Sequence, residues 1–74
     1  MSEFSIDQAM REAIDLQSRN QYDDAKSIYK RIIEHDAKHS DAYHLLSLID
    51  LVHNKLDEAK SNIIKAIELQ PEIS

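Results

Sequence analysis

The chain has 74 residues, with 14 acidic and 9 Lys or Arg side chains for a formal net charge of −5, and it contains no Cys, Gly or Trp. A domain this small buries only about 60% of the surface its unfolded chain exposes, so its stability is marginal, and without Cys it has neither a disulfide staple nor a thiolate metal site. The missing Gly excludes Gly-rich phosphate loops and nucleophile elbows and argues against β-hairpins, while the acidic balance argues against nucleic acid or anionic lipid as main partner.

No apolar run approaches the roughly 20 residues of a membrane span. The start, Met1-Ser2-Glu3-Phe4, lacks a basic stretch followed by an apolar one, so no secretory signal is expected and the expected compartment is the cytoplasm. The chain reads as one domain over 1–74. Hydrophobic residues at 42% and charged ones at 31% make a globular balance rather than a disordered one.

In chain order, Ser5 followed by Gln8 reads as a capping box that opens a first helix, and Ala9, Ala13 and Leu16 give it helical spacing. Asn20 stands at a tight turn, where Asn tolerates the left-handed conformation and replaces the missing Gly. Tyr22, Ala25, Tyr29, Ile32 and Ile33 carry the rhythm through a second helix, with Asp23 and Asp24 in its first turn to complement the helix dipole. Ser40-Asp41 can cap a third helix, whose core stripe is Tyr43, Leu46 and Ile49. Asn54 marks a second tight turn. Leu56, Ala59, Ile63, Ala66 and Ile67 form a fourth helix, with Asp57 and Glu58 at its start and Pro71 as its stop. The predicted spans are about 5–19, 22–36, 40–53 and 56–69.

Shifting the chain by 34 positions lays its second half on its first. Asn20 meets Asn54, Asp23 meets Asp57, Ala25-Lys26-Ser27 meets Ala59-Lys60-Ser61, and Ile33-Glu34 meets Ile67-Glu68. These are seven identities in the 15 positions from Asn20 to Glu34, where chance supplies about one. A fixed period of this length signals a stacked repeat.

At these residues the chain resembles the tetratricopeptide repeat family, whose unit is a 34-residue helix–turn–helix. The second unit, about 40–73, carries Tyr43, Leu46 and Ser47, then Ala59, Ile63 and Pro71, with Asp50 where the family has Tyr. The first, about 6–39, keeps Ala13, Ala25 and Tyr29, has Leu16 in place of the Tyr, and departs at Ala9, Glu12 and Ala37. The resemblance implies an all-α fold: two tandem helix–turn–helix repeats, a right-handed α-solenoid fragment of four antiparallel helices. Ala13, Ser47, Ala25 and Ala59 are small where paired helices must approach, and larger residues there cost about 1–3 kcal/mol.

Few residues are arranged for chemistry. Ser47, Asp50 and His53 are spaced by three, but a triad also needs an oxyanion hole, and no Gly is available to build one. They read as three polar residues on one helix, and no catalytic residue is expected. His35 and His39 are four apart, yet His39 should fall in the turn before helix three. His35 has a plainer reason at a helix C-terminus, so neither a metal nor a cofactor is expected. Lys26, Lys30, Arg31 and Lys38, interleaved with Glu34 and Asp36, read as a solvated outer face.

The informative feature is the third helix. From Ala42 to His53 only His44, Ser47, Asp50 and His53 are polar. A surface helix needs one apolar stripe, and two imply burial on both sides. The second stripe is Leu45, Leu48, Leu51 and Val52, and the resemblance turns it, with His44, toward a concave face shared with Met10, Ile14 and Gln17. Family members that grip acidic C-termini carry a Lys, Asn and Arg clamp there. Met10, Ile14, Leu45 and Leu48 take what look like the corresponding places, and Arg11 alone does not rebuild it.

The expected function is that of a non-enzymatic interaction module or scaffold. It would bind a partner helix, or a second copy of itself as a homodimer, in an apolar groove. The alternative is the N-terminal repeat segment of a larger bacterial enzyme. Asp41-Ala42-Tyr43-His44-Leu45-Leu46 through Pro71 looks like repeats that precede glycosyltransferase domains, where it would position the catalytic domain or its acceptor. Two repeats are fewer than the three or so that stacking normally needs, and a third unit would begin near Ser74. Self-association is therefore expected, either groove to groove through Leu45, Leu48 and Val52 or end to end through the fourth helix with its Ile63, Ile64 and Ile67.

Overall fold

The computed structural model of the chain describes residues 4–69. They form four helices: α1 (Ile6–Ser18), α2 (Tyr22–His35), α3 (Ser40–Val52) and α4 (Leu56–Leu69). No strand occurs among the described residues. The expected stop at Pro71 lies outside them.

Local chemistry sets the helix ends. Ser5 Oγ accepts the Gln8 N–H at 3.3 Å, as its position before α1 predicts. The cap of α3 falls one residue earlier than Ser40-Asp41. Ser40 is already helical, and His39, with extended backbone, accepts the Ala42 N–H on Nδ1 at 3.1 Å. A neutral imidazole offers the same acceptor as a Ser oxygen, which is why the cap could move.

Both tight turns are built alike. Asn20 and Asn54 have φ of 66° and 62°. The Asn20 and Asn54 N–H groups donate to Gln17 O and Leu51 O, each at 3.0 Å, and the next residues, Gln21 and Lys55, donate to Leu16 O and Asp50 O at 2.9 and 2.7 Å. This is a Schellman closure made twice, 34 positions apart, with Asn doing what Gly usually does. The internal match in sequence is thus a match in backbone geometry.

Consecutive helices pack together: α1 on α2, α2 on α3, and α3 on α4. Ala13, Ala25 and Ala42 are fully buried, as are Tyr29, Ile32 and Ile49. Ser47, Ala59 and Ala66 are buried where α3 meets α4. Short side chains at these positions let the helix axes approach. Of the expected α3 core stripe, Leu46 and Ile49 are buried and Tyr43 is half-buried. The architecture is all-α, with two helical hairpins joined through the α2–α3 contact.

Candidate functional site

Two apolar hollows on the surface share Leu48. The first, of about 410 Å³, lies between α1 and α3 and is lined by Ile14, Gln17, Ser18, Tyr22, Leu45, Leu48 and Val52. Ile14 is 47% exposed and Val52 54%, high values for residues of this kind. The second, of about 280 Å³, lies between α3 and α4 over Ser47, Leu48, Leu51, Leu56, Ala59, Lys60 and Ile63.

Of the eight residues expected in one groove, Ile14, Gln17, Leu45, Leu48 and Val52 meet in the first hollow. Leu51 turns to the second. Met10 is half-buried against the core, and His44 is exposed and lines neither hollow. The split follows from helix geometry. At about 100° per residue Leu51 lies roughly 120° from Leu45 and 100° from Val52 around the axis, with Leu48 between them, so Leu48 reaches both hollows and Leu51 only the second.

The unexpected centre is Asp50, 1% exposed. Its Oδ2 accepts from Asn62 Nδ2 at 2.7 Å. Lys26 Nζ stands 3.4 Å from Oδ1 as an ion pair, but Oδ1 lacks an aligned hydrogen bond. Asp50 therefore joins α3 to α4 and also to α2. This corrects one expectation: Lys26 leaves the solvated outer face to pair with Asp50, an interior group that the sequence presents only as one of three polar residues on one helix. The signal available was Asp50's place one residue after Ile49 on the buried side, where a carboxylate needs a cation.

The Ser47, Asp50 and His53 series disperses. Ser47 Oγ donates to the His44 carbonyl, Asp50 serves Asn62 and Lys26, and His53 faces Asp23 at 4.0 Å and lies edge-on to Tyr22. His35 stacks on Phe4 with ring centroids 4.3 Å apart, and Arg31 lies over the same ring. Among the described residues no three His, Cys, Asp or Glu side chains gather in a metal-binding group, and no helix is long and apolar enough to cross a membrane.

Inside the first hairpin Tyr29 is fully buried, and its hydroxyl donates to Gln17 Oε1 at 2.8 Å. Burial pushes its pKa up from 10.0 to about 12. The neutral phenol is the form the fold accepts, so its stabilisation is complete below the ordinary value and is lost as pH rises through the folded one. Urea unfolding should hold steady to about pH 9.5 and lose on the order of 1 kcal/mol by about pH 11. Tyr29→Phe should remove that part of the alkaline loss. An identical decline in both proteins would show that Tyr29 does not titrate as its burial requires.

No protein-family model, no curated protein and no solved structure matches the chain. The functional reading accordingly rests on the hollows themselves and on the internal repeat.

Proposed function

We propose that the chain is a protein-interaction module of the tetratricopeptide kind, with no catalytic site of its own, that associates with a second copy through the α1–α3 hollow. The observation that carries this is the contiguous apolar surface of Ile14, Leu48 and Val52, each more than a third exposed, around one hollow with Leu45. Apolar patches of this kind mark interfaces. Leu45, Leu48 and Val52 lie at the i, i+3, i+7 spacing by which one helix seats against another. The net charge of −5 supports a protein partner over nucleic acid, and the proposed compartment is the cytoplasm.

Sedimentation equilibrium tests this. The chain should be a homodimer at micromolar concentration, its melting temperature should rise with concentration, and moderate salt should leave the association unchanged. The double variant Ile14→Gln/Val52→Gln should sediment as a monomer with the helical circular dichroism intact. A wild-type monomer whose melting temperature ignores concentration would overturn the reading.

A further inference from the structure

The hollow between α1 and α3 is not wholly apolar. Its polar side chains, Gln17, Ser18 and Tyr22, come from the residues around the first tight turn. Counted on by 34 positions, the second hairpin has Leu51, Val52 and Leu56 in their places, and Ile63 where the first has Tyr29. The hairpin therefore folds without these polar groups, and their presence in the first hollow needs another reason.

Each of the three is held in a fixed hydrogen-bonding sense. Tyr29 has no exposure, so its O–H needs an acceptor inside the fold. That acceptor is Gln17 Oε1, at 2.8 Å. Turning the amide over would set its N–H2 against the phenol and strand the buried O–H, at a cost of about 1–3 kcal/mol. Tyr29 thus fixes which way the amide points, with Oε1 inward and Nε2 on the side of the hollow. Nε2 has no partner among the described residues and is not closed off from solvent. The two hydroxyls have the opposite sense. Ser18 Oγ donates its hydrogen to Asp15 O at 2.7 Å, and Tyr22 Oη donates to Asn20 Oδ1 at 2.9 Å. Each is left with lone pairs only.

The hollow thus sets a donor beside two acceptors, and none of its lining residues is charged. A second copy turned about a two-fold axis here meets its own complement. The Gln17 N–H2 of each copy faces hydroxyl oxygens of the other, with no like charges opposed. We propose that Gln17 selects a second copy for this hollow: its amide, positioned by Tyr29, donates across the axis to the Ser18 or Tyr22 hydroxyl of the other copy. This rests on the homodimer proposed above and adds its register.

Sedimentation equilibrium of the full chain is the test. Gln17→Leu/Tyr29→Phe gives the first hairpin the apolar character of the second, strands no buried group and makes the hollow more apolar. An interface held by apolar contact alone would keep or tighten its association. The dissociation constant should instead rise about tenfold or more, for two symmetry-related hydrogen bonds lost. Ser18→Ala/Tyr22→Phe leaves the Tyr29 contact untouched and should raise it by a similar factor. All four changes together should add little more, because both pairs remove the same bonds. Circular dichroism checks that each variant stays helical. The Gln17 side-chain amide protons should exchange slowly in the wild-type dimer and fast in Tyr29→Phe, which a merely structural Tyr29 would not alter. If Ile14→Gln/Val52→Gln separates the copies while Gln17→Leu/Tyr29→Phe does not weaken them, or if the two pairs of changes add fully, the dimer stands and the role of Gln17 is overturned. A wild-type monomer would overturn both.

Discussion

Lys26→Met is expected to lower the stability of the fold by about 3 kcal/mol, more than Asp50→Asn does. The asymmetry comes from what each change leaves behind. Without the ammonium, the Asp50 carboxyl group is left at 1% exposure with one hydrogen bond, from Asn62, and with Oδ1 facing nothing that compensates it. Removing one partner of a buried pair forfeits the desolvation cost of the other. Asp50→Asn instead keeps an acceptor for Asn62, and Lys26, whose side chain is 17% exposed, can carry its charge out along its stem to water. Total stability for a chain of this size is on the order of 4–11 kcal/mol, so the Lys26 variant should be close to half unfolded at modest urea. The double change Lys26→Met/Asp50→Leu should recover most of the loss, because an apolar pair of similar volume needs no compensation. Equal losses for the two single variants, or no recovery in the double, would show that the ion pair is not what joins α2 to α3.

The same group shows where sequence reading stops. The four helices were legible because their ends are written locally: Ser5 three residues before Gln8, Asn at both positive-φ turns, acidic residues opening α2 and α4. The repeat was legible because a shift of 34 compares residue with residue. Asp50 was not, because its partners lie 24 residues before it and 12 after it, and periodicity reports a face without reporting what covers it. The α3 cap was missed because His39 accepts a backbone N–H only as one neutral form of its ring, which composition does not reveal. The groove was half legible. Its apolar stripe on α3 was evident from Ala42 to His53, but which neighbour Leu51 faces depends on where α1 and α4 pack around α3, and that is set by contacts between residues far apart in the chain.

The small residues at the helix contacts give the second large expectation. Ala25→Leu should cost about 3 kcal/mol, the upper end for overpacking, and Ala59→Leu about 1 kcal/mol or less, although the two are equivalent by the 34-residue shift. Ala25 has no exposure and is enclosed within the core cluster that spans the first hairpin and α3. Three added carbon atoms there have nowhere to go without forcing α2 away from its neighbours, which also pulls Lys26 from Asp50. Ala59 is 4% exposed and forms part of the floor of the open hollow of about 280 Å³ between α3 and α4. A Leu side chain there can lean into that space beside Leu51 and Leu56, gaining burial that offsets part of the strain. For a domain of this length 1 kcal/mol moves the melting temperature by roughly 4–8 °C, so the two variants should separate by about 10 °C or more in a thermal melt. Equal losses would mean that the α4 side is as tightly enclosed as the α2 side. A smaller loss at Ala25 would mean that α3 does not cover α2 as the fold requires. The difference between the two alanines thus measures, from within the fold, how much of α4 stands uncovered.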